Sequence, residues 1–342
     1  MGKFERDIDL FDSTIDWMMK HSVDNLSNFL KKNEKLPLLF IASGGSYSAA
    51  ALAEALAVNN GYMAHALTPY MYLESGFKDI PAKVLLITAS GNNVDAHRVV
   101  EHMANCQSQE FGVLMVNNKS SLTPRLEELG FENVFVYSID KYNRDGFLAT
   151  NTLLAFYILF HKVYDGRDLD ILKGSPDQQV LKEIDDFVNK LKHISDRDLD
   201  NQQAFLHKLE GVDSFFVLYS AHNAPVGFDI ESKFSEGGIG NTQLADYRNF
   251  AHGRFNWFTQ RPGQTGLICL QSPGDAELSE AMMEKLLEVV PILKLHTAYT
   301  GSLGIIHLFI QAQYLCIKHA SRWGLDLGRP FVPEYGKEIH NM

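Results

Sequence analysis

A hydroxyl- and glycine-rich turn, Ser43-Gly44-Gly45-Ser46, joins an apolar run to a helical pattern early in the chain. Such a turn directs backbone N–H groups and the positive end of the helix dipole at one point. The glycines let the main chain approach a ligand closely, and Ser43 and Ser46 can donate hydroxyl hydrogens to phosphate oxygens. These residues predict a phosphate site, although a serine-capped helix without a ligand explains the same pattern. The turn lacks the residues of a Walker loop and of a GxGxxG fingerprint.

A second turn of the same kind follows a second apolar run and also leads into a helical pattern. Ligands of open α/β sheets bind beyond the carboxyl ends of the strands, so two such turns should converge on one crevice. We therefore expect both turns to hold the same anion, and two capped helices without a ligand remain the alternative. The polar and glycine residues of this second turn are Thr88, Ser90, Gly91, Asn92 and Asn93.

Groups suited to acid–base chemistry lie in the second half of the chain. Glu236 ends a helical pattern immediately before Gly237 and Gly238, where a carboxylate opposes the helix dipole. Lys233 lies three residues earlier on the same helical face and can pair with Glu236 or reach a shared ligand. His252 stands in an irregular segment, and histidine suits proton transfer near neutral pH. A solvated glutamate, an exposed ion pair and a hydrogen-bonded histidine are the simpler explanations.

Patterns typical of metal or cofactor sites do not accompany these residues. The 13 histidines include no HxxxH pair with a helical glutamate, and the 3 cysteines include no CxxC pair. Ser220-Ala221-His222 lacks the GxSxG elbow of a serine nucleophile. The sequence therefore predicts neither a bound metal nor a cofactor.

Composition argues against several classes of partner. The formal net charge is -11 at pH 7, whereas nucleic acids and anionic membranes require clustered Lys and Arg. The first residues show no basic-then-apolar signal pattern, and the few cysteines fit a reducing compartment. The two most apolar stretches, Phe147–Phe160 and Leu303–Ile317, are short for a bilayer span, and we interpret them as buried helices. We expect a cytoplasmic protein that contacts neither nucleic acid nor membrane.

Short apolar runs alternate with helical patterns, which predicts parallel sheets in two similar α/β units. The predicted strands are Leu38–Ala42, Val84–Thr88, Phe111–Val116, Val134–Tyr137, Phe215–Tyr219, Gly266–Leu270 and Pro291–His296. An amphipathic helix is expected before the first strand, and the tail, which has no amphipathic period, should be extended or looping. The predicted organisation is a helical segment at 1–36, a first unit at 37–170, a polar connection at 171–200, a second unit at 201–330 and a tail at 331–342.

At these residues the sequence resembles the two-domain members of the sugar isomerase (SIS) family, such as the isomerase half of glucosamine-6-phosphate synthase and the fructosamine-6-phosphate deglycases. The resemblance spans nearly the whole chain and implies two three-layer α/β/α domains with parallel, flavodoxin-like sheets. The family grips its sugar phosphate with turns of the types [CS]-G-T/G-S-Y and S-x-S-G-E-T. The positions that match this grip are Ser43, Gly44, Gly45, Ser46, Thr88, Ser90 and Asn93.

The resemblance also assigns catalytic residues. Glu236 and His252 keep the sixteen-residue interval between the family's catalytic glutamate and its ring-opening histidine. Lys233 matches an active-site lysine, Asp229 replaces a glutamate, and Lys337 resembles a C-terminal lysine that closes over the substrate. The implied mechanism is ring opening by His252 and proton transfer by Glu236, with the lysines stabilising charge. The family's histidine reaches the site of a neighbouring subunit, which implies at least a homodimer.

The expected function is therefore the processing of a phosphorylated sugar. The reaction is left open between aldose–ketose isomerisation and deglycation or deamination of an amino- or amine-adduct hexose 6-phosphate. The second turn and the segment 148–152 depart from the family pattern, so the identity of the sugar is not predicted. A non-catalytic phosphosugar sensor or regulatory subunit is the alternative, and it would need the two turns without the acid–base residues.

Overall fold

The computed structural model describes residues 2–32, 35–117, 120–143, 145–174, 176–195, 212–261, 264–330 and 333–340. The chain divides into two compact units, the first of residues 6–173 and 329–342 and the second of residues 2–5 and 174–328. The predicted end of the connection and the beginning of the second unit, at 196–211, lie outside the described residues.

The first unit is built on one parallel sheet. Its strands are β1 Leu38–Ile41, β2 Ala64–Leu67, β3 Ala82–Thr88, β4 Gln109–Met115 and β5 Val134–Val136. They lie in the order β2-β1-β3-β4-β5, and Leu38 of β1 pairs with Ala64 on one side and Lys83 on the other. This is the flavodoxin-like order of doubly wound sheets. The strands are nearly all apolar because helices cover both faces of such a sheet.

Helices cover both faces of this sheet. The helices up to residue 173 are α1 Lys3–Ile8, α2 Phe11–Met19, α3 Asp24–Lys31, α4 Tyr47–Asn59, α5 Pro69–Glu74, α6 Val94–Ala104, α7 Leu122–Glu128 and α8 Asn151–Tyr164. On one face, Phe160 of α8 packs against Phe40 of β1. On the other, Val99 of α6 and Leu126 of α7 join a core cluster with Val84 and other strand residues. The elements thus form an α/β/α sandwich.

The second unit repeats the same arrangement with four strands. Its strands are β6 Ser214–Tyr219, β7 Asn241–Asp246, β8 Thr265–Gln271 and β9 Ile292–His296, in the parallel order β7-β6-β8-β9. Its helices are α9 Gln178–Ser195, α10 Ala224–Glu236, α11 Tyr247–Asn249, α12 Asn256–Gln260, α13 Ala276–Leu286 and α14 Gly301–Arg322. Phe216 and Leu267 of the sheet pack with Phe250 and Met283 on one face, and α10 packs with α14 on the other. The predicted α/β fold with two parallel sheets is confirmed.

Two local predictions differ from the structure at the chain ends. The single amphipathic helix expected before the first strand is three short helices, α1 to α3. The tail, expected to be extended or looping, contains a helix, α15 Glu334–His340. Pro333 directly precedes this helix and Glu334 lies in its first turn, and both are signals of a helix start that do not depend on apolar periodicity.

Candidate functional site

The two predicted turns meet at the switch point of the first sheet. From β1 the chain turns to β2 on one side and later continues at β3 on the other, so the strand order reverses between β1 and β3. Doubly wound sheets bind ligands in the crevice at the carboxyl ends of such strands. Residues 43–46 follow β1 and residues 89–93 follow β3, which places both turns at this crevice.

The first turn keeps its hydroxyl groups away from helix capping. Ser43 is extended, Gly44 has a positive φ of 55°, and the residues then enter α4 at Tyr47. The side chains of Ser43 and Ser46 make no capping hydrogen bond to the helix. The hydroxyl of Ser48 donates to the carbonyl of Gly45 at 2.9 Å and fixes the turn. The serine-cap explanation is therefore not realised in this turn.

The second turn is held by its own polar side chains. The hydroxyl of Thr88, which is buried, accepts from the N–H of Gly91 at 3.1 Å, and the hydroxyl of Ser90 accepts from the N–H of Asn92 at 3.3 Å. Gly91 has a φ of 67°, and a Cβ there would lie 2.4 Å from the hydroxyl of Ser120. This position therefore requires glycine.

Asn93 joins the two turns. Its Oδ1 accepts from the N–H of Ala96 at 2.7 Å, which caps α6. Its Nδ2 donates to the hydroxyl of Ser43 across the crevice at 3.2 Å. The prediction that the two turns converge is thus confirmed by a direct contact between them. Two helix N-termini, of α4 and α6, lie side by side at this contact.

The chemistry of this crevice is that of a neutral anion site. Its predicted residues offer backbone N–H groups, hydroxyls and one amide, and none of them carries a charge. Burial, with a smaller effect of Glu54, raises the pKa of the adjacent Tyr47, so that phenol stays protonated and neutral. An anion here would be held by dipoles and hydrogen bonds, as at other helix N-termini.

The corresponding crevice of the second unit contains a carboxylate from the chain itself. The strand order reverses between β6 and β8, and Asn223 and Ser272 follow these strands. Asp275 accepts from the N–H of Ser272 at 2.7 Å, from its hydroxyl at 3.2 Å and from Nδ2 of Asn223 at 3.1 Å. An external anion would compete with Asp275 for these donors, and the negative charge of Asp275 repels it.

Lys233 lies elsewhere than its spacing suggested. It does not pair with Glu236 but forms a buried ion pair with Asp229, one turn earlier on α10, and their side chains are 3% and 0% exposed. Gln313 of α14 donates to the second oxygen of Asp229 at 2.7 Å. The ammonium also lies 5.5 Å from the ring centre of Phe309. The pair therefore belongs to the packing of α10 against α14.

Glu236 and His252 both lie at the surface of the second unit. Glu236 is the last residue of α10, as predicted, and its Oε1 accepts from the hydroxyl of Ser232 at 2.6 Å. His252 is exposed in the turn Phe250–Arg254, where Gly253 has a φ of 111°. Among the described contacts, no hydrogen bond or ion pair joins Glu236 to His252. Lys337 lies in α15, and its side chain is outside the described part of the structure.

Asp145, which closes the N-terminus of α8, is absent from the predicted site residues. Its carboxylate accepts from the N–H groups of Thr150, Asn151 and Thr152 at 2.7–3.0 Å and from the hydroxyl of Thr150 at 2.6 Å. A carboxylate shortly before a predicted buried helix is a capping signal that the sequence offered.

The described residues form neither a metal site nor a membrane-spanning helix. In that part of the chain, no group of three or more His, Cys, Asp or Glu side chains is arranged to hold a metal ion. None of its helices combines the length and apolar character needed to cross a bilayer.

Solved structures share this fold over nearly the whole chain. It is similar to tagatose-6-phosphate ketose/aldose isomerase from Escherichia coli, with a TM-score of 0.69 and 14% identity over 96% of each chain. Glucosamine-6-phosphate deaminase from Thermotoga maritima is similar with a TM-score of 0.66 and 14% identity, and the match covers 96% of this chain and 97% of that one. The C-terminal domain of glucosamine-fructose-6-phosphate aminotransferase from Francisella tularensis is similar with a TM-score of 0.61 and 12% identity, and the match covers 95% of this chain and 96% of that one. No protein-family model and no curated protein matches the sequence. The predicted resemblance is thus confirmed at the level of the fold.

Proposed function

We propose that this chain is an enzyme that processes a hexose 6-phosphate, as an aldose–ketose isomerase or as a deglycase or deaminase of an amino or amine-adduct sugar. The observation that carries the proposal is the contact between Asn93 and Ser43, which joins two polar turns at the β1/β3 crevice. The similar structures named above support it, because all three are named for reactions of hexose 6-phosphates.

The phosphate would bind in the first unit. A dianion at the N-termini of α4 and α6 gains from both helix dipoles, and its oxygens accept charge-assisted hydrogen bonds from N–H and hydroxyl groups. The β6/β8 crevice of the second unit is less suited to an anion, because the carboxylate of Asp275 already accepts from Asn223 and Ser272 there and repels a second negative charge. This contrast favours one phosphate site per chain, in the first unit.

Acid–base catalysis is assigned to the second unit. In the proposal, Glu236 transfers protons at the carbons beside the open-chain carbonyl and His252 assists ring opening, both by general acid–base catalysis. Lys337 would stabilise charge on the open-chain oxygens. Lys233 would serve Glu236 indirectly, because its ion pair with Asp229 fixes the helix that ends at Glu236.

The test separates binding from turnover. Purified protein is titrated with hexose, ketose, amino-sugar and amine-adduct 6-phosphates, and substrate loss is followed in parallel. We expect Ser90→Ala to weaken binding about 10- to 100-fold, because a hydrogen bond to a charged group is lost. We expect Glu236→Gln to bind normally but turn over about 100- to 10,000-fold more slowly.

Ser108→Ala is the matched control for binding. Ser108 is exposed and directly precedes β4, so it lies at the amino ends of the strands, opposite to the crevice. The Ser108→Ala variant should bind sugar phosphates as the wild type does. If every sugar phosphate binds and none is turned over, the chain is a phosphosugar sensor; if Glu236→Gln turns over normally, the base is wrongly assigned.

A shared site in a homodimer is part of the proposal. Glu236→Gln and His252→Asn should each be inactive when expressed alone. When they are co-expressed, about a quarter of the wild-type activity should return, because half of the dimers are mixed and each mixed dimer has one intact site. Activity in the co-expressed sample no higher than in either variant alone would contradict a site shared in this way.

A further inference from the structure

A cavity of about 240 Å³ lies beside the second turn, at the carboxyl ends of β3, β4 and β5. Ser90 lines it, and Ser90 also belongs to the predicted phosphate grip, so the cavity adjoins the crevice. Its other polar lining residues are Asn117, Ser138, Asp145 and Thr152. The volume is below that of most small-molecule pockets and suits part of a ligand rather than a whole one.

Asp145 gives this cavity its charge. A carboxylate has about four acceptor positions, and four donors at the start of α8 contact this one. The carboxylate therefore occupies the N-terminus of α8, the place where a second anion would otherwise bind. It acts on a ligand mainly through its negative charge.

Hydrogen bonds to buried residues of α1 and α2 fix the segment that carries Asp145. The N–H of Gly146 donates to the carboxylate of Asp7 at 2.9 Å, and Nδ2 of Asn151 donates to the backbone carbonyl of Asp7 at 2.7 Å. The hydroxyl of Thr14 donates to Oδ1 of Asn151 at 2.6 Å. Asp7, Thr14 and Asn151 are all buried, so the cavity is preformed.

We propose that this cavity receives the end of the sugar remote from the phosphate and excludes a second anionic group there. The inference rests on the proposed function. Neighbouring strands are about 4.8 Å apart, which places the cavity roughly 7 Å along the sheet edge from the β1/β3 crevice. An open-chain hexose held by its 6-phosphate can extend that far.

The substrate class follows from this charge pattern. The carboxyl ends of β1 and β3 offer two turns without charged side chains for a phosphate, and those of β4 and β5 lie beside the carboxylate of Asp145. Sugar 6-phosphates with a hydroxyl, carbonyl or amino group at the far end fit both ends. Those with a carboxylate or a second phosphate there meet a like charge, which lowers affinity about tenfold or more.

The experiment measures binding of inorganic phosphate, glucose 6-phosphate, glucosamine 6-phosphate and 6-phosphogluconate by calorimetry. We expect the wild type to bind 6-phosphogluconate at least about tenfold more weakly than the two neutral or amino sugars. In Asp145→Asn the ratio of the Kd of 6-phosphogluconate to the Kd of glucose 6-phosphate should fall about tenfold. Asparagine can still accept hydrogen bonds at the helix start but does not carry the charge. Asp79→Asn makes the same change at an exposed residue shortly before the amino end of β3, and it should leave the ratio unchanged.

A second variant tests the location without removing the cap. Thr152→Leu keeps the backbone N–H that Asp145 contacts but fills the cavity. This variant should weaken the binding of glucose 6-phosphate at least about tenfold. Inorganic phosphate does not reach the cavity and should bind as it does to the wild type. An unchanged ratio in Asp145→Asn, or unchanged glucose 6-phosphate binding in Thr152→Leu, overturns the inference while the phosphate site stands. If neither inorganic phosphate nor any sugar phosphate binds the wild type, the proposed function fails as well.

Discussion

The ion pair between Lys233 and Asp229 is the residue-level feature that most changes the assignment of roles. Lys233 is 3% exposed, and the carboxylate of Asp229 beside it offsets the cost of burying its ammonium group. Gln313 accounts for one further acceptor position of the carboxylate. Breaking such a pair leaves one charge buried alone, which costs more than the pair itself contributes.

We therefore expect Lys233→Met to lower the free energy of unfolding by about 3–5 kcal/mol, because Asp229 loses its counter-charge. The double variant Asp229→Asn/Lys233→Met should recover most of this loss, since asparagine can still accept from Gln313. Urea unfolding followed by circular dichroism measures both. Lys285→Met, at a lysine that is 80% exposed on α13, is the control and should change stability by less than about 0.5 kcal/mol.

Turnover by the double variant then decides the role of Lys233. If the lysine only positions α10, a stable double variant keeps most of its activity. A double variant that is stable but inactive would instead return Lys233 to the catalytic group. A single variant as stable as Lys285→Met would contradict the buried pair.

Asn93 shows why helix capping and ligand binding were hard to separate at the level of the sequence. The two explanations were weighed as alternatives, but the amide of Asn93 caps α6 with its oxygen and contacts Ser43 with its nitrogen. The serines of the first turn, which the sequence equally allowed as caps, do not cap. Residue type establishes which groups can bond, whereas the partner depends on strands that lie far apart in the sequence.

Among the elements, the five central strands and two of the four edge strands, β5 and β9, were predicted. All seven predicted strands are present within one or two residues of their predicted bounds. Both missed strands, β2 Ala64–Leu67 and β7 Asn241–Asp246, lie at sheet edges and are only partly buried. These two strands are held by pairing with β1 and β6, and their own sequences carry little apolar periodicity.

The two most apolar stretches were interpreted correctly as buried helices. They lie largely within α8 and α14, most of whose side chains are buried against the sheets and neighbouring helices. Before β1 the apolar pattern indicates helix but not where the helix is interrupted, and the tail has no such pattern, so the helix bounds there depend on capping and on tertiary contacts. This is why the three N-terminal helices and α15 were not predicted as such.

At the scale of the whole molecule, the two sheets share a strand order but differ at their switch points. The first four positions of one, β2-β1-β3-β4, correspond to β7-β6-β8-β9 of the other. The first crevice presents neutral donors, and the second presents Asp275 bonded to the equivalent donors. The sequence predicted two units and the first crevice. The position of Asp275 in the second crevice depends on contacts between loops, which no spacing pattern in the sequence shows.

Hydrogen exchange with and without glucose 6-phosphate tests this asymmetry between the units. At 100 times Kd, binding stabilises the liganded state by about 2.7 kcal/mol, which slows exchange through opening of the site up to about 100-fold. We expect protection at residues 43–47 and 88–96 and none at 220–224 or 272–276. Asp275→Ala removes the carboxylate from the second crevice and should add phosphate-dependent protection at 220–224. Protection of 272–276 in the wild type would mean that Asp275 does not exclude an anion, and the argument for one phosphate site per chain would fail.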